Sequence, residues 1–331
     1  MLPMRGCLLL LLVALFSPSA LAQNRATGTP PENVILDTDV GDDVDDAFAI
    51  DLALASPEFN LLGISSAWGD TALRARMIDR MVCETGRTSV AVNAGVPTAT
   101  TTPFTQAVWA RGGAAKPRYG DAVGFLLEQI KAHPGEITLI ALGPLTNIGA
   151  AIDRDLNTFR KLKRVVLMGG AIYRGYDKAG SSTPQAPEPE YNIARDPKSA
   201  QKLFHTGVPV FMLPLDSTLI KFDNSRRLQL ESVSTPITDS LQIQMAEWGR
   251  ATGQTNPTLF DAVAVAYAAD PASCGMTPVH IEVDDKGMTR AMTGVANAQA
   301  CLRPNEEAFY ALLMRRLLQQ RLVGTGACLA R

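Results

Sequence analysis

The sequence predicts an α/β fold: a mostly parallel, in part mixed, central sheet covered on both faces by helices. Three observations point there. Short apolar runs alternate with longer amphipathic ones along most of the chain. The most acidic stretch lies at a junction between a run of the first kind and one of the second. Finally, 331 residues with balanced charge can bury a sizeable core as one domain.

Residues 1–22 open with Arg5, continue through the apolar run Leu8–Phe16 and end on Ala20, Leu21 and Ala22. This is the pattern of a cleavable secretory signal peptide, and it predicts an exported protein, periplasmic or secreted. Cys7 precedes the apolar run, which argues against a lipoprotein anchor, and no later stretch is long and apolar enough to span a bilayer. Residues 23–32, rich in Thr, Gly and Pro, read as a flexible arm, and residues 33–331 as one domain.

The domain begins with Val34, Ile35 and Leu36, the pattern of a buried strand. Asp37, Asp39, Asp42, Asp43, Asp45 and Asp46 follow, and then Ala47, Phe48, Ala49 and Ile50 at helical spacing. Six carboxylates on one strand-to-helix turn repel one another, each close pair by about 1 kcal/mol or more at low dielectric. A cation among them resolves the repulsion. Oxygen donors without Cys or His suit a hard divalent ion, and Ca2+ tolerates an irregular cage better than Mg2+. The alternative, a solvated turn that caps the helix, employs one or two of these acids and leaves the rest without a role.

Further strands are expected over 61–66, 137–142, 164–168 and 208–213, with helices over 72–85, 121–132, 145–153, 197–205, 261–269 and 306–320. Residues 279–289 read as a hairpin turning at Asp285–Gly287. In sheets of this kind ligands bind beyond the carboxyl ends of the strands. Four segments at such ends carry polar or Gly residues: Trp68-Gly69-Asp70, Gly143 to Asn147, Met168-Gly169-Gly170, and Glu190-Tyr191-Asn192 after a Pro- and Gly-rich loop that starts near Tyr173.

With 31 Lys+Arg against 33 Asp+Glu and no basic cluster beyond short runs such as 160–164, a nucleic-acid partner is disfavoured. Cys83, Cys274, Cys301 and Cys328 include no CxxC pair, which disfavours thiol redox chemistry and a Cys-rich zinc site. An exported protein permits one or two structural disulfides, and the three late cysteines can include a pair.

The acidic turn and the strand-end segments together resemble the nucleoside hydrolase family, the inosine-uridine-preferring group. Its opening signature, Asp-x-Asp-Pro-Gly-x-Asp-Asp-Ala, is met by Asp37-Thr38-Asp39-Val40-Gly41 and Asp45-Asp46-Ala47, with two residues inserted between the halves and Val40 in place of Pro. A second match is ALGPLTNI over 141–148, and the similarity runs from about Val34 through at least Asp270.

The resemblance implies a Ca2+ held by Asp39, by both carboxylate oxygens of Asp46, by the main-chain carbonyl of Leu142 and by Asp261. It places Asp45, Asp70, Met168, Glu190 and Asn192 on the ribose, with Asp70 standing where many relatives carry Asn. Asp42 and Asp43 belong to the insertion, and Asp43 contests the place of Asp45. The implied reaction is hydrolysis of the N-glycosidic bond of a nucleoside, giving ribose and free base for salvage. A water bound to the ion loses its proton to Asp39 and attacks the anomeric carbon. The oxocarbenium-like transition state is stabilised by the surrounding negative charge, and single displacement inverts the anomeric centre. A homodimer or homotetramer is implied in the same way.

One departure concerns the leaving group. Phe260 precedes Asp261 where several relatives have His, and His133, His205 and His280 fall in no site segment. Stacking on Trp248, Trp68 or Phe260 is the remaining route to favour protonation of the base. Trp248 lies in a polar stretch, 243–255, that reads either as a flap over the base or as a segment with a plain core tryptophan. Base preference stays open.

Two rival readings remain. In a haloacid-dehalogenase-type Mg2+ phosphatase Asp37 is the nucleophile and Asp39 the acid, but Lys163 and Asp284-Asp285 fit its other positions poorly. A secreted, non-catalytic Ca2+-dependent nucleoside or ribose binder keeps the fold and lacks turnover. An EF-hand loop is set aside because Phe48 occupies the place of its closing Glu.

Overall fold

The computed structural model describes residues 30–113, 116, 118–178 and 183–324. The predicted signal peptide, most of the arm and Cys328 lie outside the described residues. Residues from Pro31 onward form one compact unit.

Ten strands form one sheet. They are β1 (Glu32–Thr38), β2 (Phe59–Ser66), β3 (Ala91–Ala94), β4 (Gly120–Asp121), β5 (Ile137–Ala141), β6 (Arg164–Met168), β7 (Val210–Leu213), β8 (Cys274–Val283), β9 (Thr289–Met292) and β10 (Ala298–Pro304). Their order is β4-β3-β2-β1-β5-β6-β7-β10-β8-β9. All neighbours from β4 to β10 run parallel, while β8 and β9 add an antiparallel end. The expected hairpin is therefore present as β8 and β9. A disulfide between Cys274 and Cys301 ties β8 to β10, which pairs two of the three late cysteines. Cys83 is disulfide-bonded as well.

The helices are α1 (Asp45–Leu54), α2 (Thr71–Glu84), α3 (Ala107–Gly112), α4 (Ala122–Ala132), α5 (Thr146–Phe159), α6 (Tyr191–Arg195), α7 (Pro197–Phe204), α8 (Leu215–Thr218), α9 (Asn224–Glu231), α10 (Pro236–Thr252), α11 (Phe260–Ala269) and α12 (Glu306–Gln319). None of the described helices is long and apolar enough to cross a membrane.

Strand alternation sorts the core into two layers. Val34 and Leu36 of β1 join the cluster packed by α1, α2, α10, α11 and α12, whereas Ile35 joins the cluster packed by α4, α5 and α7. Because β2 lies on one side of β1 and β5 on the other, the chain changes direction across the sheet at β1. A crevice opens at such a switch point beyond the strand ends. The acidic turn leaves β1 there.

Residues 243–252, read from sequence either as part of a flap or as a segment with a core tryptophan, belong to α10, which carries Trp248 on its buried side. Ile237, Leu241, Met245 and Trp248 recur on its buried side. Thr235 and Thr238 cap its start reciprocally, and Gly253 ends it in the left-handed region.

Candidate active site

A cavity of about 430 Å3 lies beyond the ends of β1, β5 and β6. That volume suits a small organic ligand. Asp39, Asp45, Asp46, Leu142, Met168, Glu190, Asn192, Trp248, Phe260 and Asp261 all line it, so all the predicted site residues but Asp70 and the stacking candidate Trp68 share one wall system.

The carboxylates converge because two helices begin here. Asp45 and Asp46 form the first turn of α1, and Asp261 that of α11; helix N-termini favour negative charge. One oxygen each from Asp45, Asp46 and Asp261 lie within 4.8 Å of one another, and all three residues are buried. Thr38 donates to Asp46 Oδ1, and the main-chain N–H of Asp261 donates to Asp45 Oδ2 at 3.2 Å. Burial and the neighbouring carboxylates push Asp45, Asp261 and Asp39 well above the usual range. Burial raises Asp46 to about 7, against hydrogen bonds from Thr38 and Asp261. Such repulsion among oxygen donors fits a hard divalent cation.

Asp39 faces the same cavity and stands outside that cluster of three. Local packing holds its carboxylate in place. A Cβ on Gly143 would lie 2.7 Å from Asp39 Oδ1 and 2.9 Å from Asp39 N, so only Gly lets the Asp39 carboxylate rest against the β5 turn. In the insertion, Asp43 Oδ1 accepts from the N–H of Val44 at 2.7 Å and its carboxylate bonds the side chain of Trp248. Asp45, and not Asp43, joins Asp46 and Asp261.

The opposite wall is neutral or capped. Glu190 begins α6, and its carboxylate accepts from the N–H groups of Gly170, Asn192 and Ile193 at 2.8, 2.9 and 3.2 Å and from Tyr176 O–H at 3.4 Å. Burial still raises it, these bonds notwithstanding. Asn192 Nδ2 donates to the carbonyls of Leu142 at 2.7 Å and Met168 at 3.2 Å, binding the ends of β5 and β6 together. Phe260 meets Tyr176 edge to face with centroids 6.0 Å apart.

Residues 34–311 match the model of the inosine-uridine preferring nucleoside hydrolase family. The chain belongs to that family. It is 31% identical to the pyrimidine-specific ribonucleoside hydrolase RihB of Escherichia coli, over 76% of this chain and 82% of that one. The purine-preferring ribonucleoside hydrolase from Gardnerella vaginalis superposes with a TM-score of 0.73 at 26% identity, over 86% of this chain and 98% of that one. A plant nucleoside hydrolase, PpNRh1, shares the fold with a TM-score of 0.73 at 24% identity, over 87% and 99% of the two chains.

Within this nucleoside hydrolase frame, Asp70 stands apart from the other ten: it is exposed, lies outside the cavity lining and accepts from the N–H of Leu73 as the N-cap of α2. Trp68 is likewise outside the lining. Trp248 is both core and lining, 3% exposed. No His lines the cavity; His205 and His280 bond the carbonyls of Gln201 and Val295. Asp37, the nucleophile of the phosphatase reading, is buried away from the lining, where Asn147 holds one oxygen at 2.7 Å; burial lifts it to about 7. Lys163 pairs with Glu32 and Asp284 with Arg290, so neither serves a phosphatase site.

Tyr176, Tyr191, Thr102, Pro103 and Thr105 also line the cavity. Thr102 and Tyr191 hydroxyls meet at 2.9 Å. Tyr191 adjoined the predicted pair Glu190 and Asn192, whereas nothing in the run Thr100 to Thr105 marks it as a wall.

Proposed function

We propose that this protein is an exported, Ca2+-dependent N-ribosyl hydrolase that splits nucleosides into ribose and free base. One observation carries the reading: three buried carboxylates share a cation-sized space in a cavity that also presents Asp39, Glu190 and Asn192.

Asp45, Asp46 and Asp261, with the Leu142 carbonyl and Asp39 alongside, would hold the ion. When bound, Ca2+ supplies a fixed positive charge that orients the two secondary hydroxyls of the sugar and acidifies a water. Asp39 then takes a proton from the water as it attacks the anomeric carbon. Positive charge developing on the sugar ring faces a wall of carboxylates, which lowers the barrier. Asn192 Oδ1, to which no described residue donates, accepts from a sugar hydroxyl. A further hydroxyl replaces the weakest bond to Glu190, that from Tyr176. Phe260 and Trp248 offer faces for the base, with no His to protonate it. The named relatives act on pyrimidine and on purine nucleosides, so both substrate classes belong in the test. The enzyme is proposed to work as a homodimer or homotetramer.

The experiment is release of ribose from inosine, uridine and p-nitrophenyl riboside, with chelator and after Ca2+ is restored. Turnover that chelator abolishes and Ca2+ returns supports the reading. Binding of nucleosides without ribose release points to a binder, and cleavage of phosphate monoesters instead points to the phosphatase.

A further inference from the structure

Beneath the acidic turn lies a guanidinium that does not itself line the cavity. Arg74, on α2, is 1% exposed. Its Nε donates to the Trp68 carbonyl at 2.8 Å. One terminal nitrogen donates to the carbonyls of Asp39 and Val40, the latter at 2.9 Å, and the other to Asp42 Oδ2 at 2.7 Å. The Phe104 ring covers the group, 5.2 Å from its carbon. A buried charge persists only when paired and hydrogen-bonded, and here every partner belongs to the acidic turn or to the β2 end beside it.

The surrounding backbone is shaped to this contact. Trp68 is the one non-Gly residue with positive φ among the described residues, at 60°, and it is the residue that aims its carbonyl at Nε. Such a conformation is retained where the surroundings fix it. Gly69 follows at φ 63°, and a Cβ there would lie 3.2 Å from Arg74. On the far side, Thr105 donates to the Asp42 carbonyl at 2.7 Å and Gln106 to that of Asp43 at 2.6 Å. The inserted residues are thus gripped from both sides, and the acid at their centre, Asp42, pairs with Arg74 instead of joining the cation cluster.

We propose that Arg74 is the positioning residue of the cation site, its planar fork locking the Asp39–Val40 peptides and the Asp42 insertion so that Asp45 and Asp46, with Asp39 alongside, are presented to the same ion as Asp261. This rests on the cation reading above and concerns how that site is built. Lys at this position keeps the charge but cannot reach three carbonyls and a carboxylate in one plane. A purely electrostatic role therefore survives Arg74→Lys; a positioning role does not.

The test is calorimetric titration of the full chain with Ca2+ alone, together with amide exchange of the metal-free protein over residues 37–48. Arg74→Lys is expected to weaken Ca2+ binding by about tenfold or more, as loss of a supporting contact behind a metal ligand does, and to speed exchange at 39–44. At saturating Ca2+ its kcat falls while KM for the nucleoside changes little, because Glu190 and Asn192 are untouched; a general loosening raises KM too. If Arg74→Lys does not fold, Asp42→Asn, which weakens only one arm of the fork, carries the comparison, with a smaller loss of affinity and faster exchange expected. Wild-type affinity and wild-type exchange in the folded variant overturn the proposal. A wild-type chain that binds no Ca2+ overturns the preceding reading instead, and unchanged exchange in the variants would then overturn this one separately.

Discussion

The main-chain N–H of Asp261 donates to a carboxylate oxygen of Asp45 at 3.2 Å, joining the first turns of α11 and α1 across 216 positions of sequence. That bond ties Asp45 to its partner in the carboxylate cluster, whereas the family resemblance puts Asp45 on the sugar. Asp45→Asn separates the roles, since Asn keeps an acceptor for Asp261 and loses only the charge. Ca2+ titration without nucleoside is expected to show affinity reduced by about tenfold or more. Unchanged affinity with a raised KM would return Asp45 to the sugar alone.

The cluster also fixes how pH acts. Burial lifts Asp46 to about 7, and burial with the neighbouring carboxylates also raises Asp45 and Asp261 well above the usual range, so the metal-free fold holds protons that an unfolded chain has already released. Raised carboxyl pKa values mean stability that is present below the unfolded carboxylate value and lost as pH rises from there through the folded one. The melting temperature of the metal-free protein should accordingly fall from about pH 4 to pH 7, with Ca2+ cancelling the fall. Ca2+ must displace these protons, so its affinity rises over the same interval. Calorimetry in two buffers of different ionisation enthalpy reads the protons released; identical heats in both would contradict it.

Gly143 provides a geometric test. A methyl group there meets Asp39 Oδ1 at 2.7 Å and the Asp39 N at 2.9 Å, and the backbone atom cannot swing aside. Gly143→Ala should displace Asp39 and cut kcat by about 100-fold, the scale of a small misplacement of a reacting group. The cost in stability should stay near 1–3 kcal/mol, as for overpacking elsewhere. A variant with normal kcat would show that the Asp39 carboxylate need not sit where it does.

Much of this was legible in the sequence, for physical reasons that also mark the limit. β1 and the turn after it announce themselves because an apolar run and six acids leave few alternatives, and GPLTN follows β5 as a parallel sheet requires. β10 was missed since Ala298, Ala300 and Cys301 are small and give little apolar contrast, although the strand is interior. α10 was not read as a helix: its later residues are polar, and the stripe Ile237, Leu241, Met245 and Trp248 shows only over the whole length. Asp70 is ambiguous in sequence because a ligand at a strand end and an N-cap have the same signature. Arg74 looks like any Arg on a solvated helix face, and only the fold reveals that the face is covered.

Asp51 offers a control far from chemistry. Both its carboxylate oxygens are buried without a partner in α1, and burial, with Glu84 nearby, pushes it well above the usual range. Here too stability declines as pH rises from the unfolded value toward the folded one. Asp51→Asn removes that ionisation, so its advantage in melting temperature over the wild type should grow between pH 4 and pH 8, reaching about 2 °C for each kcal/mol gained. A difference constant with pH would mean that the carboxyl is not neutral in the fold.

The central claim is that Asp45, Asp46 and Asp261 close around one cation at the β1 switch point. A crystal soaked in Ca2+ and ribose measures it directly. The expected density is a single ion about 2.3–2.6 Å from oxygens of these three residues and of Leu142, with the sugar's adjacent hydroxyls on its open side. Carboxylates that stay protonated and paired to one another in high Ca2+, with ribose bound elsewhere or not at all, would contradict it.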